Sequence, residues 1–259
     1  MNVDARHAAH VWTEHFQSVQ RGVLAGLAAL TLALSPAERT VRHGGANPAQ
    51  SAGGQSTGGP IAAAGAARTF ADFGRHAPSA MARHVADWIA DSRDNAGAEF
   101  IILDKREARL YVFDAHARLR DASPVLLGAA RGDDSVPGIG LRATMDVQPH
   151  ERTTPAGRFI AERGRNTLGE DVVWVDYEAA VSIHRVRATV PSESRLERLA
   201  SKTIDDNRIS YGCINVPVDF YEAYVRPIVA TRRAIVYVLP EERRAQDVFG
   251  SYDVAARAE

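Results

Sequence analysis

The sequence predicts a mainly β domain with a few short helices. Short apolar runs rich in β-branched and aromatic residues recur between turn residues, and they are too short for typical helices. About 190 residues follow a long Gly- and Ala-rich segment, which is enough for one domain with a sizeable core. This domain is predicted to span residues 99–240, and residues 241–259 form a C-terminal tail. The predicted strands lie at residues 100–103, 110–113, 125–127, 172–175, 181–183 and 235–239.

The first segment, residues 1–37, is typical of an export signal. Residues 22–34 are uncharged and small or apolar, and they follow Arg21 and precede small residues at Ser35 and Ala37. Thirteen residues are too few to span a bilayer as a helix, whereas the apolar core of a signal peptide has this length. Because the preceding segment is long and carries two acidic residues, a buried core helix is the alternative. The export signal predicts a periplasmic or secreted protein, with no stable membrane span in its mature form.

A predicted flexible linker at residues 38–68 leads to a helical lead-in at residues 69–98. The linker is rich in Gly, Ala, Ser and Gln, so it cannot bury enough apolar surface to offset its ordering entropy. In the lead-in, Met81, Val85 and Ile89 recur at helical spacing, which predicts a helix packed on the domain.

Two helix starts are predicted inside the domain. Ser194 with Glu197 three residues later matches a capping box. Pro217 suits the first turn of a helix that runs through residues 221–225. The lone cysteine, Cys213, is therefore expected on the connection just before a helix, where backbone N–H groups are unpaired.

Charge and composition argue against several classes of partner. A formal net charge of −1 argues against a nucleic-acid surface. The chain has one cysteine, no cysteine-rich metal motif and no glycine loop that could cradle a phosphate, so neither a metal nor a cofactor is expected. We expect a monomer.

Cys213 is the strongest chemical signal in the sequence. It cannot form an internal disulfide, and it follows Gly212, a residue that lets the backbone approach closely. A thiol becomes a nucleophile when a base or a cation stands beside it, and His184 is the best candidate. The two residues lie 29 positions apart, so the fold must bring them together. A buried structural cysteine is the alternative.

The segment from residue 99 to residue 240 resembles the L,D-transpeptidase (YkuD) family. The family signature is a histidine, a spacer, then Ser/Thr-His-Gly-Cys, an apolar residue and Asn or Arg. It is matched here by His184, Ser210, Gly212, Cys213, Ile214 and Asn215. A second hallmark, Thr-Pro-small-Gly-x-Phe at the start of a strand, occupies residues 154–159, and an opening hairpin with aromatic residues matches the first two predicted strands. The sequence departs from the family at Tyr211, where most members carry a second histidine, and in a longer spacer whose residues 189–200 read as an inserted loop and short helix.

This resemblance implies a YkuD-like β-sandwich catalytic domain that performs cysteine acyl transfer. Cys213 attacks a peptide carbonyl, while N–H groups near Gly212 and Cys213 stabilise the oxyanion. His184 takes the thiol proton and returns it to the departing amine. The family's third triad member is a main-chain carbonyl beside the histidine, which by position is that of Arg185. Residues expected to order the loop or bind substrate are Ser210, Tyr211, Asn215 and Trp174. Ser210 and Asn215 are equally explained as turn residues without direct chemistry, and Trp174 as a core strand residue.

The implied substrate is a peptidoglycan stem peptide, cleaved before a terminal D-alanine. Transfer of the acyl group to a diaminopimelate amine forms a 3-3 cross-link. Transfer to water makes the protein an L,D-carboxypeptidase or a hydrolase that releases a wall-linked protein. A catalytically silent wall-binding protein is the competing class, because Tyr211 departs from the family pattern. A papain-like peptidase fits less well, because its cysteine normally precedes its histidine.

Tyr111 and His150 are secondary candidates for the wall of a substrate groove. Residues 128–142 have the composition of a loop and are long enough to act as a flap.

Overall fold

The computed structural model describes residues 67–230 and 233–257. The predicted export segment at residues 1–37, and nearly all of the predicted linker at residues 38–68, lie outside the described residues. Within the described ranges the protein is mainly β, with a large mixed sheet and a few short helices. The predicted fold class is therefore confirmed.

Eight strands form one mixed sheet, and two short strands form a second sheet. The strands are β1 (Phe100–Asp104), β2 (Arg109–Phe113), β3 (Leu119–Pro124), β4 (Leu127–Gly128), β5 (Gly157–Arg165), β6 (Asp171–Asp176), β7 (Val181–Arg185), β8 (Arg208–Ser210), β9 (Ile214–Val216) and β10 (Ala234–Val238). The order in the large sheet is β3-β2-β1-β10-β5-β6-β7-β9, and the second sheet pairs β4 with β8. The β1–β10, β7–β9 and β4–β8 pairs are parallel.

The two halves of the large sheet share one buried core. Ile101 of β1 and Leu110 of β2 belong to the same apolar cluster as Val173 of β6 and Ile183 of β7. These strands come from different halves of the sheet order, so the halves face each other across the cluster as the layers of a sandwich do.

The opposite face of β1, β2 and β10 is covered by the helix α1, Ala80–Ser92. The hydroxyl of Ser79 caps this helix by accepting the Ala82 N–H at 3.0 Å. Trp88 packs edge-on against Tyr237 of β10, with ring centroids 6.3 Å apart. The helix predicted in the lead-in is confirmed, and its tryptophan lies in the core.

Five of the six predicted strands are present. The run at residues 125–127 is instead a buried connector, and only Leu127 belongs to a strand. The other strands have no long continuous apolar run. β3 is polar and lies at an edge of the sheet, β4 has two residues, and β8 and β9 have three each, so they carry too little periodicity to be recognised from sequence. β5 has nine residues, but four of them are charged, and only the motif at residues 154–159 indicates where the strand begins.

Two local predictions about helices are wrong. Helix α2, Arg195–Ala200, does follow Ser194, but Ser194 has φ 45° and makes no side-chain cap bond. A capping box needs an extended residue at that position, whereas Ser194 closes the preceding turn by donating its N–H to the Pro191 carbonyl at 3.1 Å. Cys213 does not lie directly before a helix either, because strand β9 intervenes.

The helical segment after β9 runs through α3 (Val218–Phe220), a π-helical turn (Tyr221–Val225) and α4 (Arg226–Ile228). The segment after β10 adds the short helix α5 (Ala245–Phe249), whose Ala245 joins the cluster under α1. No helix among the described residues is long and apolar enough to cross a bilayer.

A buried ionic cluster anchors the segment predicted as a flap, residues 128–142. Lys105 is fully buried and donates to Asp133 Oδ1 at 3.1 Å and to the Thr154 carbonyl at 3.0 Å. Asp133 also accepts N–H groups from residues 241–243 at 2.6 to 3.0 Å. Burial alone would raise the pKa of Asp133, but these donors hold it well below its ordinary value. The segment is therefore tied to the core at Asp133.

Candidate active site

Cys213 lies in the tight connection between β8 and β9, next to a glycine that no other residue can replace without strain. Gly212 has φ +127°, and a Cβ at this position would lie 2.8 Å from the Thr153 carbonyl oxygen. The Thr154 hydroxyl donates to the Gly212 carbonyl at 2.8 Å and accepts the Gly128 N–H at 3.0 Å. The two sequence motifs, residues 154–159 and the cysteine segment, therefore meet here.

Ser210 and Asn215 hold the loop from both sides. The Ser210 hydroxyl donates to the Cys213 carbonyl at 2.6 Å and accepts the Gly212 N–H at 3.1 Å. The Asn215 amide donates to the same carbonyl at 3.2 Å. Both side chains are buried, and their hydrogen bonds order the loop that carries the thiol.

Parallel pairing of β7 with β9 brings His184 to the thiol. In the register, Ile183 faces Ile214 and His184 faces Asn215. Cys213, one residue before Ile214, is therefore level with Ser182. Since side chains alternate along a strand, His184 and Cys213 project from the same face of the sheet. The pairing of these two strands therefore brings together two residues that lie 29 positions apart in the sequence.

The thiol lies among groups with opposite effects on its ionisation. Its Sγ lies 3.7 Å from the Ser182 hydroxyl, which can donate to a thiolate, and 3.6 Å from the Ala180 carbonyl, which can only accept from the neutral thiol. Burial alone would raise the pKa of Cys213, but hydrogen bonding and charge from His184, together with Ser182, lower it below its ordinary value. Burial alone would lower the pKa of His184, but Cys213 and the Arg185 carbonyl raise it. Both pKa shifts are in the direction of a thiolate beside an imidazolium.

The main-chain carbonyl of Arg185 fixes the orientation of the histidine ring. His184 Nδ1 lies 2.8 Å from this oxygen. A carbonyl oxygen can only accept a hydrogen bond, so Nδ1 carries a proton. Nε2 is therefore the nitrogen that can accept the proton of the thiol. The Arg185 side chain points into a separate cluster, where it pairs with Asp171 at 3.0 Å and stacks 4.2 Å from the Tyr221 ring centroid.

One of the two expected oxyanion donors is already engaged. The Gly212 N–H donates to Ser210, as described above. The Cys213 N–H makes no hydrogen bond to any described residue. Of these two groups, the Cys213 amide is thus the one available to a developing oxyanion.

Tyr211 is an exposed residue whose ring contacts Arg152. The residue is 40% exposed, and the Arg152 guanidinium lies 3.9 Å from the centre of its ring. Its hydroxyl makes no hydrogen bond within the described ranges. The ring is held by a cation–π contact, in which the hydroxyl has no part.

Trp174 lies on the same face of the sheet as the thiol. It pairs with Ser182 in the β6–β7 ladder, so its side chain projects toward the side that carries Cys213. Its ring stacks on Tyr177 at a centroid distance of 4.8 Å. A Cβ on Gly164 would lie 2.3 Å from the indole, so this glycine provides the space for the ring. The half-buried Trp174 and exposed Tyr177 form an aromatic pair on the site face.

Tyr111 and His150 have no described contact with the thiol. Tyr111 lies in the cluster under α1, packs edge-on against Phe73, and lines a cavity of about 530 Å³ near the start of that helix. His150 is exposed on the 3₁₀ turn Pro149–Glu151. Among the described residues there is no cluster of side chains that could hold a metal ion.

Ser182, Tyr177 and Arg195 were missed as site residues from sequence. Ser182 could have been found, because it lies two positions before His184 on a predicted strand and must share its face. Tyr177 and Arg195 reach the site through loop geometry, for which the sequence has no signal.

Comparisons with known proteins give a distant structural similarity. No family model matches the chain, and no curated protein matches it in sequence. The structure is similar to a crystal structure of the helical cell shape determining protein Pgp2 from Campylobacter jejuni, with 16% sequence identity, a TM-score of 0.36, and coverage of 57% of this chain and 50% of that chain. A point mutant of Pgp2 gives 14% identity, a TM-score of 0.36, and coverage of 61% of this chain and 55% of that chain.

The chain thus spans about half the length of these Pgp2 structures. The similarity is too distant to support a statement about activity. Membership of the L,D-transpeptidase family stays a prediction that depends on the motif residues.

Proposed function

We propose that this protein is a cysteine acyltransferase of the L,D-transpeptidase type, which acts on peptidoglycan stem peptides. The observations that support it best are the β7–β9 register, by which Cys213 and His184 share one face of the sheet, and the 2.8 Å contact of His184 Nδ1 with the Arg185 carbonyl oxygen. A nucleophile, a base and a group that orients the base are the parts that covalent catalysis requires. The substrate class is inferred from the resemblance of the motif residues to the family.

In the proposed reaction, Cys213 Sγ forms a bond to the carbonyl carbon that precedes a terminal D-alanine. The Cys213 N–H donates to the oxyanion. When the C–N bond breaks, His184 delivers the proton to the departing amine, and the acyl group remains as a thioester. An incoming diaminopimelate amine then attacks the thioester, releases the thiol and forms a 3-3 cross-link.

There are two alternatives. The first uses the same residues with a different acyl acceptor, and the second has no catalytic activity. Water as the acceptor makes the protein an L,D-carboxypeptidase or a hydrolase that releases a wall-linked protein. A catalytically silent wall-binding protein would keep the fold without acylation. The contact of His184 Nδ1 with the Arg185 carbonyl and the lowered pKa of Cys213 together favour the enzyme, because a binding module needs neither an oriented base nor an activated thiol. The proposed setting is the periplasm or the cell exterior, with the protein as a monomer that needs no cofactor.

Acylation by a carbapenem β-lactam tests this function, since the family resemblance implies that such compounds act as acyl donors. Intact-protein mass spectrometry should show a single adduct, and peptide mapping should place it on Cys213. Cys213→Ser is the matched control and should show none. A folded wild-type protein that repeatedly remains unmodified would favour the wall-binding protein.

Stem tetrapeptide as substrate then distinguishes the acceptors. A cross-linked dimer in the product mixture identifies the transpeptidase. Tripeptide with free D-alanine and no dimer identifies the carboxypeptidase.

A further inference from the structure

Arg195, the first residue of helix α2, reaches the site from the inserted part of the spacer. Its Nη1 donates to Asn215 Oδ1 at 2.7 Å, and its Nε donates to Glu193 Oε2 at 2.5 Å. The side chain is only 13% exposed. Two partners therefore fix the position of this guanidinium.

The charge of Arg195 lies beside the Cys213–His184 pair. Asn215, its hydrogen-bond partner, faces His184 in the β7–β9 register and donates to the Cys213 carbonyl at 3.2 Å. The cation is close enough to His184 to oppose the rise in its pKa. Cation, imidazole and thiol thus share one small region of the fold.

Part of the Arg195 guanidinium has no partner. A guanidinium has five N–H donors in a planar fork, and the Nη2 group of Arg195 makes no hydrogen bond within residues 67–230 and 233–257. Arg185 differs, because Asp171 and Glu222 occupy its side chain. A fixed guanidinium with an unused edge matches a carboxylate, which it can bind through paired charge-assisted hydrogen bonds.

We propose that Arg195 binds the free carboxylate of the residue that leaves during acylation. The inference rests on the proposed function. In a peptide donor, only the amide nitrogen and one α-carbon separate the scissile carbonyl from the terminal carboxylate. A carbonyl placed at Cys213 Sγ therefore keeps this carboxylate within the same region as Arg195. The site then selects donors whose scissile bond precedes a terminal residue with a free carboxylate.

Paired donors test this specificity. Stem tetrapeptides that end in D-alanine or in D-alaninamide differ by one charge at the terminus. In wild-type protein, kcat/KM for the donor that ends in D-alanine should be about tenfold to hundredfold higher than kcat/KM for the donor that ends in D-alaninamide. This is the difference expected from one charge-assisted hydrogen bond. Arg195→Gln should lower the ratio of the two kcat/KM values, acid over amide, toward one, whatever change in the basal rate follows from the lost contact with Asn215. Arg195→Lys should keep part of the preference, because the charge remains.

Arg198 provides the matched control on the same helix. Its guanidinium donates to the carbonyls of Glu193 and Asp206 at 2.9 and 3.0 Å and does not contact Asn215. Arg198→Gln should retain the wild-type preference for the acid. Thermal unfolding identifies any variant that fails to fold, and Arg195→Lys provides the comparison if Arg195→Gln does not fold.

The outcomes separate the two proposals. Equal loss of both donors in Arg195→Gln, or an unchanged preference, would overturn the role of Arg195 and leave the proposed function intact. Absence of acylation of wild-type protein by either donor would overturn the proposed function and this inference with it.

Discussion

Thr154→Val removes the one hydroxyl that joins the two motifs of the site. The Thr154 side chain is fully buried, donates to the Gly212 carbonyl and accepts the Gly128 N–H. Valine keeps the shape of the side chain but leaves both backbone groups without a partner. Each buried polar group without a partner costs about 1–3 kcal/mol, so the free energy of unfolding should fall by about 2–6 kcal/mol.

Thr154→Ser is the control, because it keeps the hydroxyl and removes one buried methyl group at a cost of about 1 kcal/mol. Urea unfolding measures the stability of both variants, and the carbapenem acylation rate reports the position of the thiol. We expect valine to lower the acylation rate as well, because the Gly212 carbonyl is no longer held beside Cys213. A valine variant within about 0.5 kcal/mol of wild type in unfolding free energy, and equal to it in acylation rate, would refute this account of the loop.

The other predictions concern Tyr211 and His184. Tyr211→Phe should change the acylation rate by less than about threefold, because the hydroxyl has no partner within the described residues and phenylalanine keeps the contact with Arg152. A loss of a hundredfold would instead assign the hydroxyl a direct role. His184→Ala should reduce peptide turnover by roughly two orders of magnitude or more, the scale of a lost acid–base group. Turnover within a few-fold of wild type would show that another group is the base.

Much of the sheet was predictable because its strands are apolar and β-branched. The runs that became β1, β2, β6, β7 and β10 are buried on both faces or nearly so, and continuous apolar runs of this kind are typical of interior strands. The edge strand β3 and the three-residue strands around the cysteine loop have no such pattern. Their position depends on neighbours distant in sequence.

The site was predictable in its residue types but not in its geometry. A lone cysteine after glycine and an upstream histidine indicated nucleophilic chemistry, and parallel pairing of β7 with β9 now explains how they meet. The sequence could not reveal that the Gly212 N–H is engaged by Ser210. It also could not show that Arg195 reaches Asn215, because this contact depends on the path of the inserted segment.

The expected helix directly after Cys213 shows the limit of local signals. Pro217 was correctly recognised near a helix start, but the residues between it and the cysteine pair with β7 as a strand. The conformation of residues 214–216 is thus determined by pairing with β7, because three residues are too few to show a sequence pattern of their own.

The pH dependence of Cys213 alkylation tests the central claim most directly, namely that His184 activates this thiol. In wild-type protein the pKa of Cys213 is lowered, so iodoacetamide should react at a pH below the ordinary range for cysteine, and the rate should rise through an inflection there. In His184→Ala the hydrogen bond and charge of the imidazole are lost, and burial remains as the largest influence, which raises the pKa. The inflection should therefore move to higher pH in the variant. Superimposable alkylation profiles for wild type and His184→Ala would contradict the account.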